Sequence, residues 1–142
     1  MKKNIILIIT AVLIIMAIIC YNYWTYNRNK LEVQNNNKTY ESFYNVEVLG
    51  TDIASLINKV DDSNSKNNVS KDDNGFYIEN EKNSIKIEIK FLEMDKIISS
   101  DAVIKNGIEK FVQNFATMSF KCSKIEYHQS TKLVKYMYFE QV

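Results

Sequence analysis

The chain has 142 residues, 46% hydrophobic and 25% charged, with no proline, three glycines, two cysteines and one histidine. That length allows one small domain. The formal charge of +1 divides into +4 over residues 1–30 and −3 over residues 31–142, which excludes a basic nucleic-acid-binding globule. Lysine outnumbers arginine seventeen to one and asparagine and isoleucine are heavily used. We read this as the coding bias of an A/T-rich bacterial genome, not as a functional signal.

Residues 1–4 form a short tail carrying Lys2 and Lys3, and residues 5–20 are apolar except for Thr10. The twenty residues from Ile5 to Trp24 would span roughly 30 Å as a helix, the thickness of a bilayer's hydrocarbon, so the lipid bilayer is the first expected partner. Tyr21, Tyr23, Trp24 and Tyr26 then suit the headgroup level, with Arg28 and Lys30 beyond them in water. A cleaved signal peptide is the competing reading, against which stand an apolar run longer than usual and the lack of a small-x-small site. Cys20 follows Ile18 and Ile19, where a lipoprotein site needs small residues. Positive charge flanks both ends, and the short tail with its lysines favours a cytoplasmic N-terminus and a globule outside.

Residues 25–48 are polar with scattered aromatics and are expected to form a juxtamembrane stalk. Residues 49–142 form the small extracytoplasmic domain. There Ile53, Leu56, Ile57 and Val60 repeat at helical spacing behind a Thr51 or Asp52 cap. Residues 61–75, dense in Asp, Asn, Ser and Lys, read as a solvated loop. Residues 76–79 are a short strand candidate joined through residues 80–83 to residues 84–91. In that second strand Ile85, Ile87, Ile89 and Phe91 alternate with Lys86, Glu88 and Lys90, the pattern of a half-buried strand.

A helix capped near Ser99, Ser100 and Asp101 carries Ile104, Ile108, Phe111 and Phe115, weakened by Gly107 at its middle. Residues 117–127 and 132–140 form a hairpin about a turn at residues 128–131. With Gln129 and Ser130 at the centre, Ile125 faces Val134, Cys122 faces Met137 and Phe120 faces Phe139, with a bulge near Ser123 and Lys124. The resulting expectation is an α+β domain with a four-stranded antiparallel sheet and two helices, in α-ββ-α-ββ order behind a single transmembrane helix.

No catalytic, cofactor-binding or metal-ligating residue is nominated. His128 and Cys122 lack the clustered partners of a zinc site or a nucleophilic pair, so His128 reads as a solvated turn residue and Cys122 as a small core hydrophobe. Asp61, Asp62, Asn64, Asp72, Asp73 and Asn74 are calcium-type ligands, but Lys66 falls at an EF-hand ligand position and no glycine occupies the sixth. The hairpin places Lys121, Lys124, Lys132 and Lys135 among Tyr127, Tyr136 and Tyr138, a mixture able to stack on sugars or bases or to meet anionic polymers, diluted by Glu126 and Glu140. The expected function is a non-catalytic interaction module displayed outside the membrane, with an envelope protein or polymer as partner and no nucleic acid. The alternatives are a secretion-assembly subunit, since the basic leader, apolar helix and small head share the layout of pilin-like proteins, and a secreted protein with a cleaved signal. No glycine-type processing site precedes the apolar run, and no early glutamate lies within it.

Overall fold

The computed structural model describes residues 2–93 and 96–142, so that Met1 of the expected tail lies outside the described residues. The chain divides into two units, Met1–Asn35 and Asn36–Val142. Helix α1, Lys2–Glu41, carries an 18-residue window of mean hydropathy 2.8, none of it buried by protein, and is long and apolar enough to cross a bilayer. Its final turns behave differently, because Asn37 and Tyr40 are buried within the second unit. The stretch assigned to a stalk therefore also supplies part of the globule, including strand β1, Glu47–Leu49.

The rest of the globule comprises α2 (Gly50–Lys66), β2 (Lys86–Lys90), β3 (Ile97–Ser99), α3 (Ser100–Asn106), α4 (Ile108–Phe115), β4 (Ser119–Tyr127) and β5 (Val134–Gln141). The fold is α+β as expected, but the sheet is mixed and five-stranded, in the order β1-β4-β5-β2-β3. This corrects the four-stranded antiparallel expectation in three places. Strands β1 and β3 each have three residues, too short to show a period. Residues 76–79 form no strand, and only an isolated Lys71–Tyr77 bridge marks them. Tyr77 is instead held by α2 and α3: its hydroxyl donates to Asp61 Oδ1 at 2.9 Å, and its backbone N–H donates to Asp101 at 3.3 Å. Without that hairpin partner, β2 pairs parallel to β5, which sets Ile87 beside Met137 and Ile89 beside Phe139.

The β4–β5 hairpin forms, with its register two residues from the expected one at Tyr127, which faces Val134, and at Cys122, which faces Phe139, and three between the two irregularities, where Ile125 faces Met137. Residues 128–133 form its loop, closed by His128 N–H to Leu133 O (2.9 Å) and Lys132 N–H to His128 O (3.0 Å). A register shift between Cys122 and Lys124 falls where the switching apolar face required a bulge.

Ile87, Ile89, Phe120, Cys122, Met137 and Phe139 are fully buried and form a single core with Ile53, Leu56, Ile57 and Val60 of α2, Val103 of α3 and Phe111 of α4. Phe91, Phe111, Phe115 and Phe120 meet there, with ring centroids 4.5–6.4 Å apart. One face of the sheet is thus covered by helices. Two glycines shape that layer. Gly107, at φ +95°, divides the expected single helix into α3 and α4, a conformation that L side chains rarely adopt. Gly50 lets α2 approach α4, since a Cβ there would lie 1.9 Å from Phe115 O. The α2 helix also runs to Lys66, through the first residues of the expected solvated loop.

Candidate functional site

Alternation along β2, β5 and β4 sends every second side chain away from the helices, to a face of three rows. Tyr136 lies between Lys86 and Glu126, Tyr138 between Glu88 and Lys124, and Glu140 between Lys90 and Lys121. Glu47 of β1 extends the third row beyond Lys121. The face is charge-balanced and internally paired: Lys86 to Glu88 at 2.6 Å, Lys124 to Glu126 at 2.5 Å, and the Tyr136 hydroxyl donating to Glu88 at 2.8 Å. The Lys124 ammonium lies 5.8 Å from the Tyr136 ring centroid. Burial, and then the neighbouring Glu88 carboxylate, push the Tyr136 phenol well above its usual range. Partial burial pushes the Glu88 carboxyl upward, but hydrogen bonds from Lys86 and Tyr136 outweigh it and leave Glu88 below the usual carboxylate range.

The hairpin residues singled out in the sequence are therefore divided. Lys121, Lys124, Glu126, Tyr136, Tyr138 and Glu140 share this face with Lys86, Glu88 and Lys90 of β2. Lys132 lies in the hairpin loop, Lys135 pairs with Glu79, and the Tyr127 hydroxyl donates to Glu41 at 2.8 Å. Partial burial and the Glu41 carboxylate push the Tyr127 phenol up to about 12. The contribution of β2 was not visible in the sequence, because hydrophobic alternation does not report which strand pairs with which.

A second polar region occupies the end of the sheet where β2 and β5 begin. Five successive carbonyls there accept side-chain donors. Glu81 O takes Ser130 at 2.7 Å, Lys82 O takes Thr131 at 2.6 Å, and Asn83 O takes Asn67 at 3.4 Å. Ser84 O takes His128 Nε2 and Ile85 O takes Asn64 Nδ2, both at 2.8 Å. The N–H groups of Lys82, Asn83 and Ser84 converge on Asn80 Oδ1, and that of Ile85 donates to Asn64 Oδ1. Asn37 does the same for β5, donating to Lys132 O at 2.7 Å and accepting from Val134 N–H at 2.9 Å.

His128 is consequently 2% exposed and not a solvated turn residue. A carbonyl only accepts, so its ring carries a proton on Nε2. Nothing in its local sequence distinguishes it from a turn histidine; the signal is the distant Ser84. A polar cleft of about 290 Å³ opens beside this region, lined among others by Asn37, Tyr40, Lys59, Asp62 and Asn83.

The calcium-type ligands of residues 61–75 go to different partners. Asp61 accepts from Tyr77, Asp62 pairs with Lys66 at 2.5 Å, and Asn64 is buried on Ile85. Asp72 accepts from the N–H groups of Asn74 and Phe76. Among the described residues no group of three His, Cys, Asp or Glu side chains is placed to hold a metal. Cys122 is fully buried, as its reading as a core hydrophobe requires, and burial pushes its thiol up. No family model matches the chain, and no curated protein or solved structure is found to be similar to it.

Proposed function

We propose that the chain is a membrane-anchored interaction module. Residues 5–24 cross the bilayer once, the N-terminus is cytoplasmic, and the globule stands outside, where the three-row sheet face meets an envelope partner without catalysing a reaction. The observation that carries this reading is the apolar window of α1, of mean hydropathy 2.8 and 0% buried. Such a surface is costly in water, while its backbone groups are paired within the helix as a hydrocarbon environment demands. The sheet face supports the interaction role because it presents half-buried tyrosines, a residue type enriched in contact surfaces.

Topology is the test. Asp73 is exposed in the polar loop, and Asp73→Cys in a Cys20→Ser background leaves only buried Cys122 as a competing thiol. A membrane-impermeant maleimide should label Cys at position 73 in intact cells. Labelling only after lysis would overturn the outside orientation, and recovery of the protein in the soluble fraction would overturn the anchor.

A further inference from the structure

We propose that the three-row face is the contact between two copies of this chain, related by a two-fold axis parallel to β5. The charges of the first two rows select that axis. Turning a second copy about it lays the β2 side of each sheet on the β4 side of the other, so that Lys86 meets Glu126, Glu88 meets Lys124, and the tyrosines of the two copies meet along the centre. In the third row the same turn brings Glu140 to Glu140 and Lys90 to Lys121, so that row opposes the contact and the first two rows carry it. The other in-plane two-fold axis, perpendicular to β5, would stack Glu88 on Glu88, Lys124 on Lys124 and Lys86 on Lys90, leaving only Glu126 with Lys121 as an opposite-charge pair.

The chosen axis also keeps the starts of both β5 strands at the same end. Asn37 is bound to Lys132 and Val134 there, so both chains enter their globules from one side, as two copies in one membrane must. Twisted sheets pack face to face at about 30° and roughly 10 Å apart, a spacing that tyrosine side chains fill. Three rows on three strands make a small patch beside the roughly 800 Å² per partner of a stable soluble complex. The dimer accordingly depends on the shared membrane to raise the effective concentration, and so it rests on the anchored reading above.

The test uses the full chain, Cys20→Ser with Asp73→Cys, labelled with donor or acceptor dye and co-reconstituted in phosphatidylcholine vesicles at low protein-to-lipid ratio. Otherwise unaltered copies should float with the vesicles and show energy transfer. Glu88→Lys or Lys124→Glu, each placed in all copies, should weaken association about tenfold, because each sets like charges face to face. A mixture of Glu88→Lys donors with Lys124→Glu acceptors should restore it, since opposite charges then meet again. Circular dichroism shows whether each variant is folded; an unfolded one is replaced by Glu126→Lys paired with Lys86→Glu, for which the same loss and rescue are expected. Floating protein without energy transfer, transfer that survives the single variants, or a mixture that fails to recover it would each overturn the dimer. Protein that does not float would overturn the anchor, and with it the dimer that depends on it.

Discussion

Strand β2 and the five residues before it are continuous in sequence yet held by opposite means. In β2, Ile87 and Ile89 are fully buried between helices and neighbouring strands, and the backbone is paired with β5 along its length and with β3 over Glu88–Lys90, while the Ile87 N–H donates to Ser100 Oγ at 3.4 Å. Over residues 81–85 there is no strand, and side chains from the C-terminal end of α2 and from the β4–β5 loop take up every carbonyl. The difference shows two ways of satisfying backbone groups as the chain passes from the surface into the core. A regular ladder needs only a neighbouring strand, whereas an irregular segment needs a separate side chain for each group.

The largest effect should come from the strand. Ile89→Ala removes a fully buried side chain from a packed core and should lower stability by about 2–5 kcal/mol, read as a shift of the denaturant midpoint of the full chain in detergent. A change below about 1 kcal/mol would mean that the covered face of the sheet is loosely packed, which would remove half of the contrast.

The irregular segment should come next. Asn64 is fully buried and holds both backbone groups of Ile85, so Asn64→Ala leaves an N–H and a C=O without their partner and should cost about 2–3 kcal/mol. Hydrogen exchange sharpens the comparison, because Ile85 should lose protection in the variant while Ile89, paired with Ile98 of β3, keeps it. Equal loss at both would show that segment and strand open together.

The same contrast explains what could be read in advance. Alternation from Ile85 to Phe91 marks one buried face whatever the strand pairs with, so β2 and its core residues were legible, as were the apolar helix, the α2 stripe and the hairpin. The parallel β2–β5 pairing was not, since period two carries no direction. Asn37, Asn64, Asn67, Ser130 and Thr131 have the composition of a solvated loop, and only the carbonyls brought beside them by the fold reveal their role. The candidate face was half legible for this reason: its β4 and β5 residues stood out together, while Lys86, Glu88 and Lys90 join them only through a pairing that no local pattern encodes.

The smallest effect belongs to the open side of the same strand. Glu88 alternates with Ile87 and Ile89, but its carboxylate faces Lys86 and the Tyr136 hydroxyl, which hold it below the usual carboxylate range. A carboxyl whose folded value is depressed stabilises the folded state above its unfolded value, and that contribution disappears as pH falls through the folded one. Stability should therefore decline on acidification from the ordinary glutamate range downward, and Glu88→Gln should remove this part of the slope. At neutral pH the substitution should cost less than about 1 kcal/mol, because the pair is partly solvated. Melting curves of both chains across that range measure the difference. Identical pH slopes would show that the open face adds no electrostatic stability to the fold, leaving its charges free of a structural role and available only for what binds there.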